Sequence, residues 1–403
     1  MNRQLLTALP IFYSLLIISG LLTPYQLTAQ EIDYQLYTQA MQAKNIGQPQ
    51  AAIHHLTLFL QQYPEDYPLA YQQRGRLHYQ LQQFERAVAD FERHCQMEPG
   101  QADSHFALGQ SYLQLRQPEA ALAQFNRCLQ QDPRHAKAYN ERGRLYCQRR
   151  QYDAALEDFY RASELDPSFA LPCNNAGAAR YYNQNVANPT RKDLEIARDW
   201  FSKAIERDSS MMLALRNRAA MHLFLQAYPE ALMDLQRAQQ LAPKDAMIHF
   251  YFGVAYADQE HYDAAEAAFG EALRLQPQLA VTHEELGNLY KAQQRFEEAI
   301  RSYRAAQRVE PRPNKRYIGL MEYRIALTAA QRGQEGEALG GLRKAQRLKV
   351  FQDRQVYSDL LHAKELDPLR SSKAFKKIIK SLGKEKKDNM FINSGLAWFR
   401  MRK

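Results

Sequence analysis

The residues able to do chemistry are few. Cys95, Cys128, Cys147 and Cys173 are the only cysteines of a 403-residue chain, and such a group is a candidate for one or two disulfides or for a thiolate metal site. Their separations match no ligand spacing, and a cysteine is also a small apolar residue that fills close-packed slots; these four are read in that second way. Among eleven histidines, His54-His55, His105, His249 and His283 invite a metal reading, but no paired-histidine helix motif accompanies them. A glycine-rich phosphate loop, a nucleophile elbow and a Cys-x-x-Cys pair are also missing from the sequence. The expectation is a protein that is not an enzyme and has no catalytic residues, metal or cofactor.

Charge is the second chemical signal. The chain carries +9 overall, yet residues 371–403 hold ten Lys and Arg against two acidic residues, so nearly all of the excess is there. Lys376, Lys377, Lys380, Lys384, Lys386, Lys387, Arg400 and Arg402 are followed by or interleaved with Phe391, Trp398 and Phe399. That mixture suits an anionic membrane surface or an acidic partner; a solvated tail is the plain alternative. Nucleic acid is not expected, because the other end of the chain points to export. Residues 1–30 carry Arg3, an apolar run from Leu5 to Leu22 and a polar stretch ending at Ala29-Gln30. This is the order of a secretory signal peptide, or of an uncleaved inner-membrane anchor formed by residues 5–22. The expected location is exported, periplasmic or cell-envelope associated.

The elements that organise the chain repeat. Pro64, Pro99, Pro133, Pro167, Pro243, Pro277 and Pro311 are separated by 35, 34, 34, 76, 34 and 34 residues. The long interval is two periods plus an eight-residue insertion, residues 185–192. Gly75, Gly109, Gly143, Gly177, Gly253 and Gly287 share one register position, and Tyr112, Tyr146, Tyr256 and Tyr290 follow three residues later. Further along come Ala87, Ala121, Ala155, Ala197, Ala231, Ala265 and Ala299, with Phe91, Phe125, Phe159, Phe201, Leu235, Phe269 and Tyr303 four residues beyond. Residues three or four apart share a helical face. Gly with Tyr therefore marks the buried stripe of a first helix, and Ala with Phe that of a second, which the proline ends.

The series Leu108-Gly109, Tyr112, Ala121, Phe125, Pro133, repeated at Leu286-Gly287, Tyr290, Ala299, Tyr303, Ala306, Pro311, resembles the tetratricopeptide repeat (TPR) family. The resemblance implies an all-α, right-handed superhelical solenoid of stacked antiparallel helix pairs. Eight units fall in 33–313, a degenerate ninth in 319–352, a C-terminal helical cap in 353–382 and a basic tail in 383–403. It also implies a groove lined by first helices that holds a protein or peptide. Carried onto this sequence, the groove positions are Gln72, Arg76, Gln110, Asn140, Arg144, Gln148, Asn174, Asn175, Tyr182, Arg216, Asn217, Phe250 and Asn288. Amides there suit a peptide backbone, and the arginines suit carboxylates. The lysine and asparagine triplet of the chaperone-binding relatives does not line up. The functional expectation is a noncatalytic binding scaffold or assembly factor of a bacterial cell envelope. The alternative is an accessory or sensor subunit of an envelope enzyme or secretion complex, with its tail on the membrane.

Overall fold

The structure, a computed structural model, describes residues 24–183, 189–310 and 314–388, with side-chain surroundings from 35 to 383 within them. The apolar run 5–22, residues 185–188 of the insertion, and Arg400 and Arg402 lie outside the described residues. Every described element is helical, and none of the described helices is long and apolar enough to cross a membrane.

The chain forms two compact units, divided between Asp166 and Pro167. The first holds four helical hairpins: α1 (Pro24–Asn45) with α2 (Pro49–Gln62), α3 (Pro68–Gln80) with α4 (Phe84–Met97), α5 (Ala102–Gln114) with α6 (Pro118–Gln131), and α7 (Ala136–Gln148) with α8 (Tyr152–Leu165). The second holds five: α9 (Ala170–Tyr182) with α10 (Arg191–Arg207), α11 (Met212–Phe224) with α12 (Tyr228–Leu241), α13 (Ala246–Asp258) with α14 (Tyr262–Leu275), α15 (Ala280–Ala292) with α16 (Phe296–Val309), and α17 (Lys315–Gln331) with α18 (Glu335–Arg347). A closing segment follows: a 3-10 turn at Val350–Gln352, α19 (Arg354–His362), a second 3-10 turn at Lys364–Leu369, and α20 (Lys373–Asp388).

The register residues explain the packing inside each hairpin. All seven alanines from Ala87 to Ala299 are fully buried, and the seven residues four places on are at most 2% exposed. At Gly109, Gly143, Gly177, Gly253 and Gly287 the facing ring comes so close that a side chain has no room; a Cβ on Gly109 would lie 2.6 Å from Phe125, and one on Gly75 would be tight at 3.0 Å from Phe91. The tyrosines differ from the sequence reading, which put them in the buried stripe. They are half-buried, because the hydroxyl must reach a polar partner: Tyr112 donates to Glu92, and Tyr290 to Glu266 at 2.8 Å.

Six of the hairpins bend at an L residue in the left-handed region: Gln82, Arg116, Arg150, Gln226, Glu260 and Gln294 have φ of 57–61°. The following amide bonds back five residues, as from Gln83 N to His78 O at 2.8 Å, closing a Schellman turn. An L residue there costs about 1 kcal/mol. The first and ninth hairpins use Gly47 and Gly333 instead, which carry no such cost. In the fifth hairpin the insertion ends at a capping box: Thr190 is the cap and Asp193 the third helical residue. Aspartate and threonine bond reciprocally, Thr190 N to Asp193 Oδ2 at 2.9 Å and Asp193 N to Thr190 Oγ1 at 3.2 Å. Asp193 also receives Arg180 of α9 at 2.6 Å.

A second periodic device joins neighbouring hairpins. Arg74, Arg142 and Arg218 each grip an aspartate sixteen residues on, Asp90, Asp158 and Asp234, through two parallel hydrogen bonds of 2.6–2.9 Å. The third nitrogen reaches back to the preceding hairpin, to Thr57, Asn126 and Ser202 respectively. One guanidinium thereby ties three helices.

The closing segment folds onto α17 and α18. Val356, Leu360, Leu366, Leu369, Phe375, Ile378 and Leu382 are all at most 5% exposed and join the cluster of Leu320, Tyr323 and Leu342. α20 does not stop at Leu382, where the sequence reading began the tail. It runs through Asp388, since Lys384, Glu385, Lys386 and Lys387 are strong helix formers and one glycine, Gly383, costs only about 1 kcal/mol.

Candidate protein-binding groove

The carried-over groove residues divide by burial. In the first unit Gln72 and Asn140 are 9% and 0% exposed, which removes them from any ligand surface. Gln72 Nε2 donates to Ser104 Oγ at 2.8 Å and so ties α3 to α5. Arg76, Arg144 and Gln148 are exposed and Gln110 is half-buried. Arg144 leans on Glu141 at 2.6 Å. Arg76 and Gln110 share a recess of about 690 Å³ with Tyr79, Asp103, Phe106 and His135. Its floor is aromatic and its rim carries both signs of charge; His135 Nε2 lies 3.4 Å from Asp103. Apolar footing with few polar groups is what orients an extended peptide.

In the second unit Asn174 and Phe250 are 6% and 0% exposed. Phe250 packs on Phe269 with ring centroids 6.0 Å apart. The expected amide cluster forms, but it is turned inward: Asn217 Nδ2 donates to Asn174 Oδ1 at 3.1 Å, and Asn174 lies against the half-buried Asn175. Arg216 bonds Asp245 at 2.7 Å, and Asp245 in turn caps α13 through the Met247 and Ile248 amides. Tyr182 is 55% exposed. Asn288 is the corner of a larger recess, about 1060 Å³, walled by Glu284, Glu285 and Lys291 of α15, Arg324 of α17, and Glu365 and Pro368 of the second 3-10 turn. There Asn288 Oδ1 accepts from Arg324 at 2.6 Å and from the Tyr303 hydroxyl at 2.9 Å. Arg324 meets Glu284 at 2.9 Å, and Lys291 meets Glu365 at 2.8 Å. Burial pushes the Glu284 carboxyl up against the pull of Arg324. Val281, Glu284, Asn288 and Lys291 share one face of α15, a signal present in the sequence; the fold-back of Lys364–Leu369 that closes the recess has no such signal.

The cysteines are thiols, Cys128 and Cys173 fully buried and Cys95 and Cys147 half-buried. Burial pushes Cys95 and Cys147 up to about 11 and Cys128 to about 12, so these three are not reactive thiolates at neutral pH. No group of three metal-ligating side chains occurs among the described residues. His105, His249 and His283 are buried or half-buried and use Nε2 on the carbonyl of the turn proline six residues before, Pro99, Pro243 and Pro277, at 3.1–3.2 Å. Each fastens a turn to the helix that follows.

One histidine is an exception. His94 on α4 is 0% exposed, and neither ring nitrogen has a hydrogen-bond partner. Glu98 is 3.8 Å away, and Arg76 adds positive charge nearby. Burial holds its pKa below the ordinary 6.5, as it does for His78 and His222. The folded chain resists a proton that the unfolded chain accepts, so the stability present above pH 6.5 is lost as pH falls through the unfolded value. The loss is up to about 1.4 kcal/mol per pH unit for each histidine. Urea unfolding between pH 7 and 5 is expected to show this slope, reduced by about one proton in His94→Leu; an equal slope in the variant would refute the assignment.

Stacked antiparallel helix pairs, with polar side chains left on the first helices, define a protein-interaction scaffold of the helical-repeat class. Tetratricopeptide repeat models match residues 69–101, 108–182 and 250–315, so these stretches are tetratricopeptide repeats. Solved structures similar to it include Pseudomonas aeruginosa pilF at 20% identity, covering 53% of this chain and 93% of that one with TM-score 0.46. A tetratricopeptide repeat protein of Parabacteroides merdae is 16% identical over 62% of this chain and 96% of its own, TM-score 0.47. YrrB, a TPR protein with an unusual peptide-binding site, is 19% identical over 48% and 95%, TM-score 0.40. No curated protein matches the chain.

Proposed function

We propose that this chain is a noncatalytic scaffold or assembly factor of a bacterial cell envelope that holds an extended segment of a partner protein on its first helices. The observation that carries the reading is the recess of the first unit, where Arg76 and Gln110 stand over Tyr79 and Phe106. Most other polar groove positions are used inside the fold, whereas these side chains remain available to a ligand. Arg144 and Gln148 extend the same polar row onto α7. The envelope part of the reading is supported by the Arg3 and Leu5–Leu22 segment.

The test is Arg76→Ala with Gln110→Ala in full-length tagged protein, with partner capture by crosslinking from the native envelope. Capture is expected to fall about tenfold, the loss of roughly 1.4 kcal/mol typical of truncating an interface contact that matters. The melting temperature should be unchanged, because neither side chain is buried. Undiminished capture by the folded variant would sink the reading. Asn174 and Arg216 are unsuitable for this test, since their replacement unpairs Asn217 and Asp245 within the fold.

A further inference from the structure

Phe375, Ile378 and Leu382 lie on one side of α20 and lysines on the other, the pattern of an interfacial helix. The fold removes the apolar side from reach: those three residues are 3–5% exposed and sit in the core of the second unit. What α20 presents to solvent is Lys373, Lys376, Lys377 and Lys380, all exposed. The neighbouring helix adds to the same surface. Gln346 Nε2 of α18 donates to Ser381 Oγ of α20 at 2.9 Å, which places the two helices side by side. Arg343, one turn before Gln346, and Arg347, the residue after it, are exposed as well.

Three arginines elsewhere in this unit are paired with carboxylates: Arg274 with Glu271, Arg295 with Glu266, Arg304 with Glu337. None of the six cations on this face has a carboxylate within salt-bridge distance among the described residues. The face is therefore a concentrated positive field.

We infer that the α18–α20 face is a docking surface for an anionic phospholipid bilayer, held by charge without insertion of the helix. Four of the six cations are lysines, compact charges without the planar fork that reads a base edge or clamps one carboxylate, and they suit a diffuse negative surface. The sequence beyond the described residues continues with Phe391, Trp398, Phe399, Arg400 and Arg402, aromatic and basic types that settle at the headgroup level. That composition favours a bilayer over nucleic acid. This face shares no residue with the first unit's groove, so the two readings fail separately.

The experiment is sedimentation of the full-length chain with phosphatidylcholine vesicles and with vesicles that also contain phosphatidylglycerol. The readout is the gain from the first to the second, which cancels any contribution of residues 5–22. The gain is expected to shrink roughly fivefold for each cation removed, hence about 25-fold in Arg343→Gln with Arg347→Gln, and to vanish at high salt. Lys376→Gln with Lys377→Gln and Lys380→Gln should lose more. The arginine pair lies outside the 371–403 stretch, so an unchanged gain in that variant overturns the composite face. Equal binding of the parent to both vesicles overturns the charge mechanism. Duplex DNA or polyglutamate bound more tightly than anionic vesicles, and lost in the same variants, assigns the face to another partner and overturns the bilayer.

Discussion

Gly287→Ala is expected to destabilise the second unit by about 3 kcal/mol, the upper end of what overpacking a filled core costs. Alanine has the better helix propensity by about 1 kcal/mol, so a loss of this size means that packing dominates. The added Cβ would lie 2.4 Å from Tyr303 Cε1 and 2.6 Å from Cδ1. The ring cannot swing away, because Tyr303 is fully buried and its hydroxyl is tied to Asn288. The effect should track the close approach. Gly75, where the nearest ring atom is 3.0 Å away, should tolerate alanine best among the six. Gly270 is exposed, lies within α14 and has nothing within 4 Å of a Cβ; Gly270→Ala should instead gain about 1 kcal/mol. Urea midpoints for Gly287→Ala, Gly75→Ala and Gly270→Ala check the order. A Gly287→Ala protein as stable as the parent would show that the helix pair can part at no cost, and Tyr303→Leu added to Gly287→Ala should recover much of the loss.

The same contacts show why the fold was legible and the groove only partly so. Gly with Phe and Ala with Phe recur in successive periods, so each position is read several times and local noise averages out. Register also says which side of a first helix faces its neighbours. It does not say whether a polar residue on that side meets solvent or another polar residue. Gln72, Asn174 and Asn217 look like groove residues in sequence, yet polar side chains on adjacent first helices satisfy each other, Gln72 with Ser104 and Asn174 with Asn217. Arg216 is lost to Asp245 by a similar route. Arg324 with Glu284 and the fold-back of Lys364–Leu369 belong to the closing segment, which has no period to average over. The interval of sixteen between Arg74 and Asp90, Arg142 and Asp158, and Arg218 and Asp234 was in the sequence. It stands out only once the preceding hairpin supplies the third partner.

That arginine clamp carries the other large effect. Asp158→Ala is expected to cost the first unit about 3 kcal/mol, the low end for breaking a buried pair, since the Arg142 side chain keeps 21% exposure. Most of the cost comes from leaving a guanidinium without its two charge-assisted bonds. Replacing both partners, Arg142→Leu with Asp158→Leu, should return stability to within about 1 kcal/mol of the parent, because an apolar pair of similar volume incurs no desolvation cost. Glu271→Ala, which breaks the exposed pair with Arg274, should leave the urea midpoint unchanged. An Asp158→Ala protein no less stable than Glu271→Ala would reduce the clamp to an ordinary surface pair. The double variant carries a further consequence. Arg142 Nη1 also bonds Asn126 Oδ1 of the preceding hairpin at 2.8 Å, and the stability of a stacked array depends on such nearest-neighbour terms. Removing both charges restores the hairpin but not that link, so unfolding of the first unit should become broader in urea with its midpoint nearly retained. A transition as sharp as the parent's would mean that apolar packing alone couples one hairpin to the next.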